Sequence, residues 1–345
     1  MRREIGLALL LPLSLMLASG CIRAKAEVTE RDGVRVVSNS AEGDERDRPH
    51  ERLHTLWKTT GTNVAGQPGF EAALWADSDR GGNIYVLDHA TQRITKLDAS
   101  GRVLGQLAGR GEKPGQLSKS ERFTWSDGYL YVANGGNGRI EVLRDSGEAL
   151  PPIQLSEVKA PGEIYVANGN FVVGKRFARD GSYAYVYTPD WKVRSGLRKT
   201  DPIAAPIDIL RTHNTTCPSS DGLWILSMLE NRIEKYGWDG RKLLETSRDL
   251  DWDFPKDARG RVLPELLVHR ACTVDRAGNL YVVYSNPENW KRGNEVYKFA
   301  PDGRLLQKAF ELPILNATMI RFDRDGNLLY SDGRTLTKAS VERVP

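Results

Sequence analysis

The sequence predicts an all-β protein, a ring of six four-stranded antiparallel sheets closed by an N-terminal strand. Three observations predict it. A glycine precedes an apolar strand at Gly82, Gly128, Gly169, Gly222, Gly278 and Gly326, with spacings of 46, 41, 53, 56 and 48 residues. A second turn mark keeps step with the first, at Gly101, Gly147, Asp190, Gly240 and Gly303, 19, 19, 21, 18 and 25 residues further on. The strands after the first mark, "IYVL", "LYVA", "FVV", "LWIL" and "LYVV", are apolar on consecutive positions. A strand apolar on both faces must be covered on both faces. A repeat of about fifty residues without a helical pattern then indicates a radial array, in which each sheet is covered by its two neighbours.

Each unit reads as strand A, turn, strand B, turn, strand C, turn, strand D. The sixth has only three strands of its own, around "TMIRF", "NLLYS" and "TLTKAS". Residues 53–60 are the first candidate for its missing outer strand, because "HTLWKTTGTNVAGQPGF" resembles the blade-ending "VLGQLAGRGEKPGQL". "VRVVSN" is the second candidate, or an added outer strand. The ring is thus assigned to 53–345, after an export segment at 1–20 and a tether at 21–52.

Composition narrows the function classes. The chain of 345 residues is 40% hydrophobic and 27% charged, ordinary for a globular protein, and its formal charge of +4 comes without the basic stripe of a nucleic-acid binder. Arg2 and Arg3 precede a short apolar run ending in "LASGC". That run is too short to span a bilayer comfortably and reads as a signal peptide. "LASGC" resembles a bacterial lipobox, departing from it at Ala18, where Leu is more usual three residues before the Cys. The resemblance implies lipidation of Cys21 and membrane attachment through it, on the periplasmic side and at the outer membrane if the cell is Gram-negative. An ordinary cleaved signal peptide is the alternative. Export makes a disulfide between Cys217 and Cys272 reasonable. The two lie five and six residues before Gly222 and Gly278, so they sit at similar heights on the inner strands of neighbouring blades.

The stretch "GNIYVLDHATQRITKLDASGRVLGQLAGRGEKPGQL" resembles an NHL repeat, and the chain resembles bacterial six-bladed β-propellers of the NHL/gluconolactonase-like group. The match is best over 71–147 and 267–332 and weakest in the third unit. In a four-stranded meander the B–C turn and the D–A connection share one face. Two enlarged connections, 249–266 and 285–295, both fall there, and long loops on a rigid scaffold are where binding concentrates. The candidate ligand-binding residues on that face are His89, His213, His269, Arg270, Trp252, Trp290, Lys291 and Arg292. The expected partner is a protein, peptide or glycan at the cell envelope, and no cofactor is expected.

The arginines that begin strand C, Arg93, Arg139, Arg232 and Arg334, stand opposite Asp88, Asn134, Glu230 and Asp332. They read as recurring cross-turn pairs that hold the hairpins. No nucleophile elbow or zinc-binding helix is present. The competing reading is a lactonase- or lyase-type enzyme. The gluconolactonase resemblance implies a divalent metal, calcium by its oxygen ligands, in the central channel. Glu71, His213 and His269 would be its candidate ligands.

Overall fold

The structure, a computed structural model, describes residues 26–40, 49–61, 69–72, 74–175, 181–199, 214–250, 268–285, 294–315 and 317–344. Strands β1 (Ala26–Arg31) and β2 (Val34–Asn39) form an N-terminal hairpin, followed by β3 (Glu51–Thr59). Blade one is β4 (Leu74–Ser78), β5 (Ile84–Asp88), β6 (Arg93–Leu97) and β7 (Val103–Arg110), with the short β8 (Gln116–Leu117) at its edge. Blade two is β9 (Ser120–Ser126), β10 (Tyr129–Asn134), β11 (Arg139–Arg144) and β12 (Ala149–Ile153); blade three is β13 (Pro161–Ala167), β14 (Asn170–Lys175), β15 (Ser182–Tyr187) and β16 (Val193–Lys199). Blade four is β17 (Asn214–Pro218), β18 (Gly222–Ser227), β19 (Ile233–Gly237) and β20 (Lys242–Arg248); blade five is β21 (His269–Val274), β22 (Leu280–Tyr284), β23 (Glu295–Phe299) and β24 (Leu305–Glu311). Blade six is β25 (Met319–Phe322), β26 (Leu328–Ser331), β27 (Leu336–Arg343) and, from the chain's other end, β3. The fold is a six-bladed β-propeller, and among the described residues there is no helix.

The strands predicted to be covered on both faces are so. Ile84, Tyr85, Val86 and Leu87 have no exposed surface, and every residue of β18 and β22 is buried. Burying such side chains contributes roughly 1.5–3 kcal/mol each. In five of the six blades the A–B turns come in two kinds. Blades two and three use two-residue hairpins, Asp127-Gly128 and Asn168-Gly169, with φ of 48° and 86°, and 48° and 71°; both residues must be left-handed, which selects Asx-Gly. Blades one, five and six use a longer turn in which Asp79, Asp275 or Asp323 accepts backbone N–H groups and the amide of Asn83, Asn279 or Asn327.

β3 closes the ring. It pairs antiparallel with β27 from Arg343↔Glu51 to Leu336↔Thr59. The indole of Trp57 then reaches blade one, donating to Ala99 O at 2.9 Å. It lies against Gly101, where φ is 84° and a Cβ would meet the ring at 2.8 Å. "VRVVSN" is an added outer strand: β2 runs parallel to β20 of blade four. Asn39, fully buried, explains its position. Its Nδ2 donates to Thr246 Oγ1, Ser247 O and Gly303 O, and its Oδ1 accepts Leu305 N. One side chain thereby ties blade four to blade five at the rim. Near the axis the same two blades are joined by the Cys217–Cys272 disulfide, with Cα atoms 6.1 Å apart.

The expected cross-turn pairs form only in part. Glu230 and Arg232 make an ion pair at 2.7 Å. Asp88, by contrast, accepts Glu71 N, Ala72 N, Ala90 N and Thr91 N, and Asp332 accepts Arg334 N and Thr335 N. Asn134 serves Ser118 N and Gln116 O, while Arg139 turns to Glu141 at 2.7 Å. The turn's own N–H groups outcompete the arginine, because an unpaired backbone donor costs more than a partly exposed charge pair returns.

Candidate functional site

The inner strands converge on the axis, which is filled by side chains from several blades. Trp75 of β4 and Tyr165 of β13 meet edge to face, with centroids 6.4 Å apart. Trp75 has the guanidinium of Arg122 4.4 Å from its ring centroid and that of Arg321 at 5.4 Å, favourable cation–π placements. Each arginine has a buried carboxylate. Arg321 holds both oxygens of Asp77, at 3.1 and 3.0 Å. Asp77 also accepts Trp125 N at 2.9 Å. Arg122 lies 3.4 Å from Glu163 and donates to the Tyr165 hydroxyl. Tyr165 in turn donates to Thr216 O at 3.0 Å, and Thr216 Oγ1 donates to Glu163.

Burial raises the Glu163 pKa, against the pull of Arg122 and Thr216. Burial works against the charge on Arg122, but the Glu163 carboxylate, with Tyr165 and Tyr183, more than offsets it and Arg122 stays cationic. Burial also pushes Tyr165 up to about 12. A cavity of about 120 Å³ remains beside this belt, walled by Trp75, Tyr165, Thr216, the disulfide and Arg321.

On the face of the B–C turns and D–A connections lies a larger cleft of about 470 Å³, between blades one and two. His89, Arg110 and Lys119 line it. His89 Nδ1 is 2.9 Å from Ser120 O. A carbonyl only accepts, so Nδ1 carries the proton and Nε2 is the free nitrogen. Arg110 donates to Ala90 O, and neither Arg110 nor Lys119 has an acidic partner among the described residues.

Of the other sequence-predicted residues, His269 and Arg270 begin β21 on the same face but in blade five, with blade six between them and His89. His269 is fully buried, its Nδ1 2.5 Å from Ser227 O and its ring edge-on to Tyr284. Burial lowers its pKa to about 4, only partly opposed by the Ser227 carbonyl. It is a core residue at the junction of blades four and five. Arg270, its pKa lowered by burial, donates to Ser285 Oγ at 2.5 Å. His213, Trp252, Trp290, Lys291, Arg292 and Cys21 lie outside the described residues. The suggested metal set is not assembled among those that are described. Glu71 is exposed before β4, His269 is sealed in blade five, and no group of three or more His, Cys, Asp or Glu side chains gathers to hold an ion.

Sequence reasoning missed Arg122, Glu163, Asp77, Arg321, Arg110 and Lys119. The one signal for the first four was a charged residue inside an otherwise apolar inner strand, as in "SERFTW" and "MIRF".

The chain, a six-bladed β-propeller by its own fold, is similar in structure to several solved proteins. They include streptogramin B lyase, at 14% identity and a TM-score of 0.53, covering 85% of this chain and 98% of that one. A Bacteroides fragilis protein assigned as exported is 11% identical with a TM-score of 0.59, over 90% and 100% of the two chains. A luciferin-regenerating enzyme is 14% identical with a TM-score of 0.53, over 82% and 96%. Such identities carry the fold alone. No family model and no curated protein matches the sequence.

Proposed function

We propose that this chain is an exported, lipid-anchored binding module of NHL-like type. The face bearing its B–C turns and D–A connections recognises a protein, peptide or glycan of the cell envelope through an anionic group. The observation that carries this reading is the cleft between blades one and two, where Arg110 and Lys119 stand beside His89, neither ion-paired among the described residues, and outnumber the one carboxylate of the lining, Glu112. Unpaired cations in a concave site favour an oxyanion. The enlarged connections 249–266 and 285–295 belong to the same face by the order of the strands, and "LASGC" is the proposed anchor.

The test is affinity capture from native envelope with the intact chain and with Arg110→Glu/Lys119→Glu. A partner held by the first and released by the second is expected. Equal recovery by both would remove the face assignment.

A metal-dependent lactonase- or lyase-type activity at the axis is the second reading. It is favoured by one observation, the raised pKa of Glu163 beside the Tyr165 hydroxyl and a small cavity. Metal analysis separates the two readings: a stoichiometric ion in the parent chain that is lost in Glu163→Gln supports the enzyme.

A further inference from the structure

We propose that the cavity between blades five and six, on the face opposite the cleft described above, binds a small zwitterion of the α-amino acid or short-peptide class. The cavity is about 470 Å³, within the range of small-molecule sites and ample for a dipeptide. Its charges are arranged in two parts. Glu51, 4% exposed, lines it. One oxygen, Oε1, accepts from Lys298 Nζ at 2.8 Å and from the Tyr281 hydroxyl at 3.3 Å. The other, Oε2, is buried with no hydrogen-bond partner. A buried carboxylate oxygen without a donor is rare, because desolvation without compensation is costly.

The natural donor would be Arg343, directly opposite Glu51 in the β27–β3 register. Paired residues of antiparallel strands project from the same face. Yet no ion pair joins them. Arg343 and Arg276, the latter on the A–B turn of blade five, both line the cavity, are exposed and have no acidic partner among the described residues. Tyr281 and Phe322 supply aromatic walls 5.0 Å apart, centroid to centroid.

Lys298 is shared by Glu51 and Asp275, at 2.8 and 3.7 Å, and Lys338 holds Asp323 at 2.8 Å, so the groups left open to a ligand are the second Glu51 oxygen on one side and the Arg276 and Arg343 guanidiniums on the other. A ligand carrying both charges satisfies each part. Its ammonium donates to Glu51 Oε2, its carboxylate takes the two guanidiniums, and its side chain lies against the rings. The site is independent of the loop-face reading and shares no residue with it.

Titration calorimetry of the full chain tests this with Ala-Phe, Ala-Leu and Ala-Lys, and with three analogues: N-acetyl-Ala-Phe amide, phenylethylamine and 3-phenylpropionate. At least one free dipeptide is expected to bind, the doubly blocked form on the order of a hundredfold more weakly and each singly charged analogue about tenfold more weakly, a factor of ten for each lost charge contact. Arg276→Ala and Arg343→Ala, exposed and unpaired, leave the fold intact. They should weaken the dipeptide and 3-phenylpropionate about tenfold without changing phenylethylamine. Glu51→Gln should do the reverse. If that variant does not fold, the two arginine variants decide. No binding by any free dipeptide, equal binding of the blocked form, or arginine variants that bind like the parent would overturn the proposal.

Discussion

Two junctions of the ring are built on different principles. Blades four and five are fastened from axis to rim, by the disulfide near the axis, by His269 on Ser227 O, by Arg248, whose guanidinium lies 3.8 Å from the Tyr297 ring centroid, and by Asn39 at the rim. The three C-terminal strands of blade six have no covalent link to β3 or to blade one, into which β3 runs on. They meet these through the β27–β3 ladder, through Arg321 and Asp77, and through Arg324 donating to Ser78 O at 3.1 Å. This second junction is where the two ends of the chain meet. The first lies within one continuous run of chain and still carries the extra fastening. Stability in a ring is set by its weakest seam, so the closure at six and one should open first and the four–five seam last.

The most direct way to break that ordering is Asp77→Ala. Asp77 is 5% exposed and serves blade six through Arg321 and blade two through Trp125 N. Its loss leaves the half-buried Arg321 guanidinium without its counter-charge, which costs about 3 kcal/mol, the low end for a buried pair. Urea denaturation followed by tryptophan fluorescence should show a drop of that size. A change under about 1 kcal/mol, the range of an exposed pair, would mean that solvent reaches Arg321 and that the closure does not rest on this pair.

The converse test is at the other seam. Cys217→Ser/Cys272→Ser removes a cross-link between residues 55 apart, for which about 2–4 kcal/mol is typical. Asn39 and Arg248 remain, so hydrogen exchange should show the four–five seam loosening while the ring stays closed. Unfolding in two separate steps would show instead that the disulfide alone held the seam.

The ring was legible because its signals are local and repeated. Apolar runs such as "GNLYVV" report coverage on both faces, and glycine marks such as Gly128 report turns that need left-handed backbone. The closing strand was legible for a related reason, since residues 53–60 repeat the pattern that ends blade one. The axial belt was not. Arg122, Glu163, Asp77 and Arg321 each occur once, in different blades, and only the closed ring brings them together. His269 shows the opposite error. As a lone histidine at the start of an inner strand it looked like a ligand, but its Nδ1–H is spent on Ser227 O and its ring on Tyr284.

That burial gives the smallest of the expected effects and the one that sharpens the comparison furthest. In the folded chain His269 titrates at about 4, against 6.5 unfolded. A histidine whose folded pKa is lowered is neutral in both states above pH 6.5 and contributes no pH dependence there. Between 6.5 and about 4 the unfolded chain takes up a proton that the folded one refuses, and stability falls as pH falls. At pH 5 the loss is about 2 kcal/mol. The charged groups nearest the ring, Arg248 against Tyr284 and Arg270 next in sequence, keep their charge over this range, so they oppose protonation throughout. The parent chain and His269→Gln should therefore differ in the pH dependence of their unfolding free energies, whatever constant offset the lost ring packing adds. Parallel curves between pH 7.5 and 5 would show that water reaches the imidazole. A convergence of about 2 kcal/mol would make the covalently fastened seam acid-sensitive, leaving the Arg321–Asp77 closure to govern opening only near neutral pH.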